Sequence, residues 1–137
     1  MALAELDCVL QLVVAPGRTI PVPARLSYRS WDAYSAHITF TLEGHTPVTW
    51  VFARNLLAEG LVRPSGLGDV RVWPAGAEQP GPLYLALSSP DGQALFTVPA
   101  DVVTPWLEMT YRVVPAGFEG ASLDLDSELS QLLGEAA

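Results

Sequence analysis

For its first hundred residues this chain alternates. Leu6, Cys8, Leu10, Leu12 and Val14 take every second position before Pro16-Gly17 breaks the run. Val22, Ala24, Leu26 and Tyr28 do the same against Pro23, Arg25 and Ser27, and Ile38, Phe40 and Leu42 against His37, Thr39 and Thr41. Val48, Trp50 and Phe52 repeat the pattern. Side chains two apart share one face of a strand, so period-two runs rich in β-branched and aromatic residues predict half-buried antiparallel strands. Gly44-His45 between two runs predicts a tight hairpin connection. Further strands are expected at 69–73, with Val70 and Val72 on one face and Arg71 and Trp73 on the other, and at 83–88 and 93–98. Ser89-Pro90-Asp91-Gly92 has the residue order of a type I turn joining the last two. Pro74 through Pro82 reads as a Pro/Gly loop at a hairpin tip.

The period changes twice. Leu56, Leu57 and Leu61 fall at helical spacing directly after the fourth strand, with Gly60 suited to a left-handed C-terminal position. From residue 100, Val102, Val103, Trp106, Leu107, Met109 and Tyr111 form a second helical face, for which Thr104 as cap and Pro105 as first helical residue is the expected start. Pro115-Ala116-Gly117 ends it. Leu125, Leu129, Leu132 and Leu133 then line up as an amphipathic stripe. Seven strands and few helices make a mainly β, α+β fold: a single-domain antiparallel barrel over 1–118, followed by an acidic tail helix over 119–137.

Composition chiefly excludes. The 137 residues carry 15 acids and 7 basic residues, all arginine, for a net charge of −8. Five acids and no base fall in 119–137, so the tail carries −5 and the body −3. This balance opposes sequence-independent attraction to phosphate or anionic lipid. A single cysteine, Cys8, permits no intrachain disulfide and reads as a buried, inert thiol. Glu5 and Asp7 interrupt the apolar N-terminus, unlike a secretory leader, and no uncharged run approaches the ~18 residues of a membrane span. His37 and His45, with Glu43 nearby, read as a solvated edge rather than metal ligands. Ser65-Gly66-Leu67-Gly68-Asp69 lacks the Lys-Ser/Thr end of a phosphate loop and precedes a strand, not a helix. No nucleophile–base pair or carboxylate pair is brought together, so no enzyme is expected. Two candidate interaction surfaces remain: the outward strand residues Arg25, Arg71 and Trp73, because an aromatic beside arginine is hot-spot chemistry, and the tail leucines Leu129, Leu132 and Leu133.

Four stretches carry a resemblance. They are Val-Pro-Ala-Arg-Leu-Ser-Tyr at 22–28, Pro-Val-Thr-Trp-Val-Phe-Ala-Arg-Asn-Leu-Leu-Ala-Glu-Gly-Leu at 47–61, Pro-Ser-Gly-Leu-Gly-Asp-Val-Arg-Val-Trp-Pro at 64–74 and Leu-Ala-Leu-Ser-Ser-Pro-Asp-Gly at 85–92. In this order they resemble the SsgA-like sporulation and cell-division family of actinomycetes, most of all its SsgB branch. The resemblance implies a bell-shaped β-barrel assembled as a homotrimer, with no catalytic motif and no cofactor. It also implies a cytoplasmic adaptor at division septum sites that recruits the tubulin-like protein FtsZ and works alongside SsgA-type partners. The alternative that the barrel shape raises, single-stranded nucleic-acid binding, needs a basic groove with stacking aromatics that seven arginines furnish sparsely. Gly117, expected at positive φ, is a structural turn. Gly117→Val is therefore expected to redirect the tail more than it unfolds the barrel. Limited proteolysis of the tail checks this, and an unchanged cleavage pattern would count against it.

Overall fold

The computed structural model describes residues 2–75 and 81–120. Seven antiparallel strands form one sheet: β1 Leu3–Ala15, β2 Arg18–Arg29, β3 Ser35–Phe40, β4 Val48–Ala53, β5 Val70–Pro74, β6 Pro82–Ser89 and β7 Gly92–Pro99. Two helices complete it, α1 Arg54–Gly60 and α2 Ala100–Val113. The spatial order is β4-β3-β2-β1-β7-β6-β5. The predicted faces hold: Leu10, Val22, Leu26, Tyr28, Ile38, Val72, Leu83 and Val98 are buried on the inner side. Phe40 of β3 stacks on Phe96 of β7 with ring centroids 4.5 Å apart. Two strands lie between β3 and β7 in the sheet, so this contact exists only because the sheet curls into a half-barrel.

Several details follow from the register. Pro21 and Pro23 sit within β2 where β3 has already ended at Phe40, opposite Ala24. The Pro23 carbonyl faces that side and accepts from Thr41 N at 3.0 Å. Its missing N–H therefore costs no ladder bond. Seven residues, 41–47, join β3 to β4, a longer connection than the tight hairpin the sequence predicts. The turn within it runs from Leu42 O to His45 N at 3.0 Å, with Gly44 at φ 80, as a type II turn requires. At the β5 edge, Ser65 and Val72 exchange two backbone hydrogen bonds of 2.8 and 3.0 Å. Among the described residues β4, the other edge, pairs with β3 alone. The core of the predicted Pro/Gly loop, 76–80, and the tail from 121 onward lie outside the described residues.

Both helices differ from expectation in one respect. Gly60 is not at positive φ; it closes α1 in a regular conformation and is buried against β5. A Cβ there would overlap the Val72 side chain and press on its backbone carbonyl. Close approach of helix to strand, not backbone freedom, is what glycine supplies here. In α2 the helix begins at Ala100 with Pro99 as cap residue, and Pro105 lies inside it. Thr104 is no cap: its hydroxyl donates to Ala100 O at 2.8 Å. Pro105 is tolerated because it and Asp101, whose carbonyl loses a partner one turn back, lie on the exposed side, where water can satisfy that oxygen. Val103, Trp106, Leu107 and Thr110, spaced as one helical face, are buried, and Trp106 Nε1 donates to Ala4 O at 3.2 Å.

The helices are locked by a residue without a local sequence signal. Arg54, at the junction of β4 and α1, is 1% exposed. Its backbone N–H donates to Tyr34 O at 2.8 Å, which starts α1 without a side-chain cap. Its guanidinium donates to Thr110 O at 2.9 Å and Val114 O at 2.8 Å, adding a second donor at Thr110 O, which already accepts from Val114 N at 2.9 Å, and serving the Val114 carbonyl just past the end of α2. The other nitrogen donates to Glu119 Oε1 at 2.7 Å. Tyr28 and Tyr111 hold the group between their rings, 4.7 and 3.9 Å from ring centre to Cζ. Glu119 Oε2 accepts from Gly117 N at 2.9 Å, and Gly117 turns at φ 88.

Hydrogen bonds from its own backbone N–H and from Arg54 hold the Glu119 carboxyl below the ordinary glutamate value of 4.5. A depressed folded-state value makes this contribution complete above the unfolded value and lost as pH falls through the folded one. The difference in denaturant midpoint between the wild type and Glu119→Gln is thus expected to persist from about pH 7 to about pH 5 and to shrink below about pH 4. A pH-independent difference would contradict the assignment. Arg54→Met takes the donor from Val114 O and one partner from the partly buried Glu119 carboxylate, for an expected loss of about 1–3 kcal/mol. Gly60→Ala should cost about 1–3 kcal/mol through overpacking against Val72, although alanine is the better helix former; urea unfolding measures both.

Candidate protein-interaction surface

Alternation sends the odd-numbered residues of β1 and β2 outward. Asp7 and Arg25 stand opposite each other in the ladder. Arg25 Nε donates to Asp7 Oδ1 at 2.6 Å and the second arm to Oδ2 at 3.2 Å. Glu5 lies 3.7 Å from the same guanidinium. The hydrogen bond and charge of Arg25 lower the Asp7 carboxyl below its ordinary range. Arg25 sits in an open groove of about 730 Å³, between Glu5 and Asp7 on the β1 side and Thr39 and Thr41 on the other.

Arg71 and Trp73 lie elsewhere. Both are on β5 and point outward, while Val72 between them is fully buried. Trp73 pairs with Tyr84 of β6 in the ladder, and the two rings stack at 5.5 Å and 15°. Beside them a shallow groove of about 330 Å³ runs past Arg71, Ala86, Gln93 and Leu95 to Val13. Strands β1, β7 and β6 separate this patch from Arg25. The sheet thus brings Arg71 together with Trp73 and adds Tyr84, but keeps Arg25 apart. The leucines Leu129, Leu132 and Leu133 lie outside the described residues.

His37 is not the solvated residue that alternation suggests. It points outward from β3 but is 9% exposed, with Asp32 of the short 3₁₀ turn Ser30–Asp32 at 3.9 Å. Burial, reinforced by the charge of Arg29, lowers its pKa against the opposing pull of Asp32. Cys8 is half-buried, and burial together with Asp7 raises its thiol, so it is a poor nucleophile. Among the described residues no three His, Cys, Asp or Glu side chains gather as metal ligands, and no helix is long and apolar enough to cross a membrane. What the outer face offers is surface: a stacked aromatic pair beside arginine, on the edge strand β5 and its neighbour β6.

Comparison with known proteins bears on family and fold. The family model described as Streptomyces sporulation and cell division protein, SsgA, matches residues 22–119. The sporulation-specific cell division protein SsgB of Streptomyces coelicolor is 49% identical over 126 residues, covering 92% of each chain. The SsgB protein of Salinispora tropica is 45% identical, covering 94% of this chain and 92% of its own. A solved SsgB structure, from work on longitudinal cell division during sporulation of Streptomyces coelicolor, superposes with TM-score 0.83 at 45% identity, covering 88% of this chain and 95% of that one. The crystal structure of an SsgA-like sporulation-specific cell division protein from Thermobifida fusca superposes with TM-score 0.86 at 38% identity, covering 95% of both. With sequence, curled sheet and helix placement in agreement, the chain belongs to the SsgA-like family of sporulation and cell-division proteins.

Proposed function

We propose that this chain is a non-enzymatic adaptor that helps to place the sporulation septum by recruiting the tubulin-like protein FtsZ, acting in the cytoplasm as a homotrimer alongside SsgA-type partners. The observation that carries the reading is the 49% identity to an SsgB protein across 92% of both chains. The outer face supports it physically. Trp73 and Tyr84 are large, already ordered and half-exposed, so a partner that covers them gains apolar contact at small entropic cost, and Arg71 beside them adds directed hydrogen bonds. A weak patch of this kind gains from repetition. Three copies in a ring present it three times to a polymer whose subunits also repeat, and avidity of this sort adds ~10²–10⁴ in apparent affinity without new contacts. Two of the seven arginines, Arg25 and Arg54, are already paired with carboxylates, which withdraws them from any basic groove for single-stranded nucleic acid.

Light scattering of the purified protein combined with co-sedimentation on FtsZ polymers tests this directly. Three chain masses in solution and co-sedimentation are expected. Trp73→Ala and Arg71→Ala should each weaken binding by about tenfold, the scale of a moderate hot spot, with Arg25→Ala changing it little because its charge is already neutralised. Failure of the wild type to co-sediment would overturn direct recruitment, and equal loss in all three variants would overturn the choice of surface.

A further inference from the structure

The half-barrel stays open between its two edge strands: among the described residues β4 and β5 do not pair with each other. At one end α1 fills the opening, leaving β4 directly and burying Gly60 against Val72 of β5. At the other end a cleft of about 350 Å³ opens to solvent, with Val48 and Trp50 of β4 facing Leu87 of β6 and Phe96 of β7. Its rim residues Leu42 and Val48 are 43% and 54% exposed. A cavity of ~150 Å³ takes a benzene ring, so the cleft accepts about two aliphatic side chains.

The backbone of β4 shows which of its groups face the opening. Arg54 N donates to Tyr34 O at 2.8 Å, a pair that continues the register in which Ala36 faces Phe52 and Ile38 faces Trp50. The phase on β3 agrees, because Thr41 N donates to Pro23 O and so gives the odd-numbered β3 residues to β2 and the even-numbered ones to β4. In an extended chain the N–H and C=O of one residue point to one side and those of the next to the other. Val48, Trp50 and Phe52 therefore bond to β3, and Thr49 and Val51 present both groups on the free side. Both residues are exposed.

Proteins ordinarily blunt such an edge with a charge, a proline, a bulge or a covering loop. Ser65 covers Val72 on β5 in this way. Val48–Ala53 carries no charge and no proline and pairs with β3 in unbroken register. We infer that β4 is a docking edge for an extended, apolar, base-flanked segment of another protein, added as an antiparallel strand like every other in the sheet. Its residues opposite Thr49 and Val51 exchange backbone hydrogen bonds with them. Those opposite Val48 and Trp50 form the closer, non-hydrogen-bonded pairs and turn their side chains into the cleft. Charge selects the flanks. Asp91 is the one charged residue lining the cleft among the described residues, Glu43 lies in the connection leading into β4, and the chain carries −8 overall. A second copy would bring the same charge, whereas basic flanks complement it. The inference uses no property of a division partner, so its failure leaves the adaptor reading to the co-sedimentation test.

The probe is a fluorescently labelled synthetic peptide, Lys-Val-Thr-Leu-Thr-Val-Thr-Lys, titrated with the full-length protein and followed by anisotropy. Saturable binding is expected. N-methylation of the threonine amides, which face β4, should weaken it at least tenfold, while N-methylation at valine and leucine should change it little. Equal loss from both sets, loss from the second set alone, or no binding of the parent peptide overturns the proposal. Val51→Pro should weaken binding to the same extent while keeping the bonds to β3, because the N–H it removes lies on the free side. Replacing both lysines by glutamate should weaken binding about tenfold at low salt, with the two peptides converging near 1 M, where the Debye length is about 3 Å; equal affinity at low salt would overturn the charge assignment. In the free protein the Thr49 and Val51 amides should exchange with solvent at least tenfold faster than those of Trp50 and Phe52, and the peptide should slow them. Slow exchange of both before the peptide is added would mean that a second copy or the chain itself already covers the edge, and would overturn the proposal.

Discussion

A guanidinium buried between two tyrosine rings ties together parts of the chain that share no strand pairing. Arg54 belongs to the start of α1, Tyr28 to β2, Thr110 and Tyr111 to α2, and Glu119 to the segment that leaves α2. Each contact needs a different property of the group: flat faces for the rings, forked donors for the carbonyls, and a permanent charge for the carboxylate. Arginine alone has all three, and a lysine ammonium could neither stack nor reach both acceptors. Burying such a charge costs several kcal/mol before its partners compensate. The arrangement is therefore better understood as fixing where the helices sit than as adding net stability. α1 and α2 hold their positions over one end of the sheet because both are registered to the same planar group.

That registration gives the molecule two unlike ends and two unlike faces. Beneath the helices the inner face is packed and dry, while the opposite mouth keeps apolar side chains accessible. Outside, the polar groove at Arg25 is internally neutralised by Asp7 and Glu5, whereas the Trp73–Tyr84 pair offers a stacked apolar surface beside Arg71.

Most of the sheet was legible because one face is buried, and burial imposes the period of two that strands show. The departures have local causes. Gly60 follows a short helix in the manner of a left-handed stop, and only the position of Val72 shows that the missing Cβ serves packing instead. Pro105 reads as a helix start because proline favours that position, yet its exposure lets the helix begin five residues earlier, at Ala100 directly after β7, with water serving the unpaired carbonyl. His37 obeys alternation but is covered by the turn that carries Asp32. Arg54 left no trace: its acceptors lie 56 to 65 residues away, and an arginine after an apolar strand ordinarily means the strand has reached water. Trp73 was legible as a candidate, but its partner Tyr84 became visible only through the register of β5 and β6.

The two sheet edges are finished differently. Ser65 occupies the hydrogen-bonding groups of Val72 on β5, while β4 presents its outer side, with Val48 and Val51 exposed, unpaired among the described residues. An edge that pairs with its own kind needs only one open side per molecule, and the pair that results has none left. Strand-by-strand growth into a fibre needs two. With Val72 of β5 engaged by Ser65, growth through the sheet meets a second edge that is already occupied there, so the crowding of many copies at one site is not by itself a route to cross-β aggregation.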